Sequence, residues 1–437
     1  MLVIYLGIVL CIFFTIIAIK SEKKILNPVT VFCGIWAFII YLSSKHLYTL
    51  YEVKIITYKW IIMGNVFFVF GYYGWKLITR GKFIYIKWNK LHKDSKHNEY
   101  VLRYNYIYIL SIICIIFLIK DIMNLEIHTL KYGVNLKNIQ MLVRECENIH
   151  SSLENAIRFL IISPFCTAIS VITAIDFCIG KKDKRLFGLT IIILICKVLS
   201  TGGREAFIKF FFYLIIGYSF ASNKIFFIKS FELKKINRRS KRNACLVFVL
   251  GIIFLAMLSF SRAGNNILKT IYLDFAMQPN MLEYWSDVVE SRNLFGYGFA
   301  SLNGFFYPIL YIAKNLIRLF PDMPVLYEQI YNITMLTDSQ WIRIGSELTA
   351  NAYVSVFWFL YYDAREFGIA IGMFIYGIFS FNMYNLAIRK TCERNVCKYA
   401  LILVGLFYTF GRMEFTITSY VLAYFFICFG AYKNCLK

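Results

Sequence analysis

The sequence predicts an all-α, polytopic integral membrane protein with about eleven transmembrane helices and one large outside loop. Three observations predict it. The 437 residues are 59% hydrophobic and 19% aromatic but only 17% charged, with a mean hydropathy of +0.60, whereas soluble domains are about half apolar. Runs such as LVIYLGIVLCIFFTIIAI are apolar on every side. The bilayer permits that only to a helix, whose peptide groups pair within the segment, because barrel strands alternate. Finally, 29 of the 48 Lys and Arg fall in six short polar stretches totalling 80 residues: 20–27, 76–104, 181–185, 223–243, 388–398 and 432–437. The positive-inside rule assigns these stretches to the cytoplasm.

The net charge of +23 therefore reads as topology signal and contact with membrane lipids, and no nucleic-acid partner is expected. Twelve cysteines form no CxxC and no Cys/His cluster, so no metal site is expected. Most, including Cys11, Cys33, Cys114, Cys166 and Cys196, fall inside apolar spans as small hydrophobes. The first apolar run lacks a basic leader and a small-residue cleavage site, and reads as a span with the N-terminus outside.

With the basic stretches inside, the whole chain, 1–437, threads as a single transmembrane domain. Spans one to four cover 2–19, 28–43, 58–78 and 105–119. An outside loop follows at 120–155, whose mixture of charged and aliphatic residues suggests short amphipathic helices on the membrane face. Span five, 156–177, ends at GKKDKR. Spans six and seven, 186–200 and 206–222, join outside through STGGRE, and span eight, 244–259, exits at FSRAGN. The large outside loop, 262–352, carries the turn signals LFGYGF and PDMP. Residues 353–362 form a half-apolar stretch, span nine covers 367–387, and spans ten and eleven, 399–411 and 415–431, flank an outside hairpin with Arg412 and Glu414. The C-terminus is then inside. No internal repeat is evident.

Chemistry is expected outside, where Arg144, Arg204, Arg262, Arg292, Arg318, Arg343, Arg365 and Arg412 run against the positive-inside bias. A guanidinium grips phosphate or carboxylate bidentately as lysine cannot. In STGGRE the two glycines allow close approach of backbone and ligand, and Arg204 and Glu205 open span seven, where free N–H groups favour an anion. Arg262 repeats the pattern at the end of span eight. Carboxylates for proton transfer are Asp363, Glu366, Glu347 and Glu205. Tyr297, Trp341, Tyr353 and Trp358 offer faces for sugar rings, and the five histidines have no partner pattern.

STGGRE closing a central span, FSRAGN closing the next exiting span, LFGYGFASLNGFF in a long outside loop, and NAYVSVFWFLYYDAREFGIAIG leading into the next span together resemble the O-antigen polymerase family. The resemblance covers most of the chain in motif order. Family members often carry an Asp-Phe-Gly-like triplet before that span. YYDAREFG departs from it, so Asp363 or Glu366 is the counterpart, with Arg365 beside them.

The resemblance implies a glycosyltransferase-type polymerase in a bacterial inner membrane, acting in lipopolysaccharide or related surface-polysaccharide synthesis. A growing glycan on undecaprenyl diphosphate passes to a fresh lipid-linked repeat unit. Its partners are those lipid-linked oligosaccharides, with a chain-length regulator and flippase of the same pathway. The donor is already activated, so no cofactor is expected. Catalytic roles fall to Asp363, Glu366 and Arg365, and substrate binding to Arg204, Arg262, Arg343, Arg292, Glu205 and Tyr353. The competing expectations are a lipid-linked oligosaccharide flippase, which calls for charged or broken helices at mid-membrane depth whereas the only intramembrane charges expected, Lys197 and Asp176, lie near span ends, and a polysaccharide ligase of similar architecture.

Overall fold

The computed structural model describes residues 1–79, 99–132, 152–201, 203, 205–221, 267–315 and 317–435. Among these, five helices are long and apolar enough to cross a membrane: Leu2–Glu22, Ile55–Ile78, Tyr104–Asn124, Glu154–Ile179 and Ser355–Arg389. The expected eighth span and the basic stretch before it, 223–243, lie outside the described residues, as does FSRAGN.

The bundle opens with α1 (Leu2–Glu22), α2 (Pro28–Ser43) and α3 (Ile55–Ile78). Asn27 caps α2, its side chain accepting from Thr30 N at 2.9 Å, and Pro28 begins the helix where an N–H would have no partner. Along α1, Leu2, Tyr5, Leu6, Val9, Ile12, Phe13 and Ile16 are all exposed at helical spacing, an apolar stripe suited to contact with lipid. Next come β1 (Glu99–Leu102) and α4 (Tyr104–Tyr132), then α5 (Ser152–Ile157), which passes through a π-helical turn (Arg158–Ile162) into α6 (Ser163–Ile179). The loop expected at 120–155 is thus partly helix continuing from the spans, because Asp121 on α4 pairs with Arg158, and Lys120 with Glu154 at 2.8 Å. Residues 133–151 lie outside the described set. α7 (Lys184–Thr201) and α8 (Glu205–Ala221) follow.

The described part of the large loop is mostly helical: α9 (Ile267–Ala276), α10 (Gln278–Ser291), α11 (Asn303–Asn315) and α12 (Val325–Ser339), then a small hairpin of β2 (Ile342–Arg343) and β3 (Thr349–Ala350). α13 (Ser355–Arg389), α14 (Glu393–Phe407), α15 (Thr418–Phe425) and β4 (Tyr432–Cys435) complete the chain. β4 pairs antiparallel with β1, Leu102 opposite Tyr432.

α13 is not one helix. Ala364 and Arg365 leave helical geometry, Arg365 with φ 53°. The first half, 355–363, starts deep: Phe357 lies against Gly64, nine residues past the start of α3 and roughly 13 Å along it. Tyr361 lies on Trp60 at 4.4 Å, nearer the start of α3. The segment therefore rises toward the loop end, turns at Ala364 and Arg365, and descends as 366–389. Gly368 makes the turn possible, since a Cβ there would stand 2.0 Å from the Leu360 carbonyl oxygen. The descending half packs backbone to backbone on α3: a Cβ on Gly71 would meet Phe374 O at 2.0 Å, and one on Gly377 would meet Phe68 O at 2.2 Å.

Polar contacts divide the bundle into two ends. At one, Lys76 pairs with Glu22 at 2.5 Å, Tyr399 Oη donates to Leu26 O at 2.7 Å, and Arg103 N donates to Ala431 O at 3.0 Å. Buried Asp176 accepts from Lys181 N and Asp183 N, both at 3.1 Å, and from Tyr104 Oη, closing the GKKDK turn. The described parts of five basic stretches meet here. At the other end, Lys54 reaches Asp287 at 2.8 Å and Arg412 pairs with Asp338.

Two measurements check these constraints. Gly71→Val pushes the α3 and α13 backbones apart and is expected to cost about 1–3 kcal/mol, read as a lower unfolding temperature in detergent. Gly74→Val, where nothing stands within 4 Å of the Cβ position, should leave it unchanged. At the basic end, burial and then the Asp176 charge push Glu393 up to about 7 from 4.5. A raised folded-state value means that this group's contribution is fully present below about 4.5 and lost as pH rises through about 7. The unfolding temperature should therefore fall between pH 5 and pH 8, and Glu393→Gln should flatten that fall.

Candidate functional site

Glu205 opens α8, and Lys209 follows one turn later on the same face. The Lys209 ammonium lies 2.7 Å from Glu205 and 2.7 Å from Glu414, and 4.9 Å from the centre of the Tyr408 ring. Glu414 is buried, in the short turn between α14 and α15. One half-buried cation thus joins a carboxylate one turn away to another 205 residues along the chain. A buried charge is tolerable only with such partners.

This triad lines a cavity of about 380 Å³ between α6, α7, α8 and the start of α15. Ser163, Thr167 and Ser170 supply hydroxyls from α6, Lys197 and Thr201 project from α7, Gly203 borders it, and Tyr213, Ser419 and Tyr420 complete it. Lys197 has no salt-bridge partner among the described residues, so the cavity holds one uncommitted cation beside the paired Lys209. Thr167, Ser170, Thr201 and Tyr420 spend their hydroxyl protons on backbone carbonyls, so what they offer a ligand is acceptor oxygens beside the Lys197 ammonium, a lining that suits an anionic ligand bearing hydroxyl groups. The STGGRE motif lies at its rim: Thr201, Gly203 and Glu205 all line it.

The other expected residues fall elsewhere. Asp363 is buried at the break in α13, and its carboxylate accepts from Ala300 N at 3.1 Å and Ser301 N at 3.0 Å. Gly296 N and Tyr297 N donate to the carbonyls of Tyr362 and Asp363 that the break frees. The LFGYGFAS segment is therefore wound around Asp363. Glu366 is exposed beyond the break, so the two carboxylates do not share one helix face as a continuous helix would require. Arg365 lies over Phe295 at 4.5 Å and Tyr361 at 5.4 Å and donates to Val289 O at 3.4 Å. Arg292 is exposed at the end of α10.

Arg343 holds its own hairpin, donating from Nε to Gly345 O at 3.2 Å and from its terminal nitrogen to Ser346 O, and Glu347 is exposed in that turn. Tyr353, at φ 52°, stacks on Phe410 at 6.2 Å. Trp358 is buried, whereas Tyr297 and Trp341 are exposed. Arg144, Arg204 and Arg262 lie outside the described residues. The sequence reading overlooked Lys209, a lysine in the apolar run EAFIKFFF four residues after Glu205; that spacing was the available signal, while Glu414, 205 residues away, gave none.

The chain matches no protein-family model, no curated protein and no solved structure.

Lys209→Met leaves Glu414 buried without its counter-ion and is expected to destabilise the protein by about 3–5 kcal/mol. The double variant Lys209→Met, Glu414→Gln should recover most of that loss in thermal unfolding. Equal losses in both would mean that the pair does not hold α8 to the 414–416 turn.

Proposed function

We propose that the chain is a membrane-embedded polymerase of lipid-linked oligosaccharide repeat units, which transfers a growing glycan from undecaprenyl diphosphate to a new lipid-linked unit in bacterial surface-polysaccharide synthesis. The observation that carries the reading is the cavity at the STGGRE turn, where one uncommitted lysine, a row of hydroxyls and an exposed carboxylate meet among apolar helices. In this reading the STGGRE end faces outward, and both substrates arrive laterally from the membrane.

The bond from the donor's anomeric carbon to the diphosphate oxygen breaks, and a bond from that carbon to an acceptor hydroxyl oxygen forms. Lys197, with Arg204 adjacent in sequence to the cavity-lining Gly203 and Glu205, holds the diphosphate and offsets the charge that develops on it. Glu205 is the carboxylate best placed to take the acceptor proton, being exposed at the rim and paired to Lys209. Asp363 has a positioning role: with both oxygens committed to backbone N–H groups, it fixes LFGYGFAS and the turn in α13.

A second reading, a flippase for the same lipid-linked oligosaccharide, is favoured by one observation: the interrupted α13, whose first half begins deep in the bundle, as in the discontinuous helices of transporters. Gene deletion separates the two. Surface polysaccharide reduced to single repeat units on an intact core is expected for the polymerase; loss of all product points to the flippase. Complementation with Arg204→Lys, Lys197→Met or Glu205→Gln should leave protein levels normal and shorten the polymer strongly. Full-length polymer from all three would remove the cavity from the mechanism.

A further inference from the structure

Cys114 and Cys166 face each other from α4 and α6 with their sulfur atoms 3.2 Å apart. Cys114 is fully buried, while Cys166 is nearly so and lines the cavity. A disulfide needs about 2.05 Å between sulfurs, so closure asks for a movement of roughly 1.2 Å, within reach of side-chain rotation and a small helix shift. Neither sulfur is engaged in a cluster that could hold a metal among the described residues. A third thiol, Cys196 on α7, directly precedes the cavity-lining Lys197, is also buried and does not itself line the cavity.

We propose that Cys114 and Cys166 form a redox-active dithiol, reached through the cavity, whose disulfide staples α4 to α6 and fixes one cavity wall. The oxidant is a low-molecular-weight disulfide. Cys166, the accessible member, attacks it as thiolate, forming a mixed disulfide and releasing one small thiol. The Cys114 thiolate then displaces the second small thiol and forms the intramolecular bond. Two protein thiols lose two protons and two electrons, and one small disulfide becomes two small thiols. The proposal stands on the thiol geometry, and it holds whether or not the cavity takes a lipid diphosphate.

The test uses full-length protein in nanodiscs, incubated with 2-hydroxyethyl disulfide or with reductant, then denatured, alkylated and mapped by peptide mass spectrometry. Oxidation is expected to lower the number of alkylated cysteines by two and to yield a Cys114–Cys166 linked peptide, which reductant abolishes. Cys114→Ser should instead retain the small thiol on Cys166, because the resolving sulfur is gone, while Cys196→Ser should still give the linked peptide. Alkylation of both Cys114 and Cys166 in the oxidised sample, or a link from Cys166 to Cys196 in their place, would overturn the assignment.

Discussion

A charge or a bare peptide group inside an apolar bundle has to find its partner in the protein, since neither lipid nor core side chains provide one. Most of the specific geometry of this chain follows from that requirement. Lys209 is held by Glu205 and Glu414, Asp176 by two backbone N–H groups and a phenol, and Asp363 by the amides of Ala300 and Ser301. Each of these ties together segments that the sequence keeps far apart, and each therefore fixes the position of a helix end.

The break in α13 is the clearest case. Interrupting a helix in an apolar setting strands carbonyls on one side and N–H groups on the other. Here the LFGYGFAS segment supplies donors to the Tyr362 and Asp363 carbonyls and takes the Asp363 carboxylate in return. The exchange fixes the large loop to the bundle at the point where the chain reverses. Close contact between the backbones of α3 and the descending half, at Gly71 and Gly377, then sets how deep the rising half reaches.

The cavity is a product of the same constraint. The 414–416 turn enters beside α8 to neutralise Lys209, and the space between α6, α7, α8 and the start of α15 is lined by polar side chains of helices that are otherwise apolar. Lys197 and Lys209 differ in chemical role for this reason. Lys209 is paired with two carboxylates, whereas Lys197 makes no salt bridge among the described residues. Cys166, the α6 member of the thiol pair, lines the same cavity.

The sequence by itself determined the class of the molecule and the grouping of its basic stretches. Burial of apolar runs in lipid depends on composition and length, and basic residues near span ends act locally, so both are legible one segment at a time. Glu205 and the STGGRE turn were legible too, since glycines and a charged pair at a helix start carry a local signal. The tertiary structure alone decided that YYDAREFG is a break rather than a helical face, that Asp363 serves backbone N–H groups, that Arg343 closes its own hairpin, and that Glu414 completes the Lys209 site. These outcomes depend on which distant segment supplies the missing hydrogen-bond or charge partner, and that pairing is a property of the packed bundle, absent from any local pattern of residues.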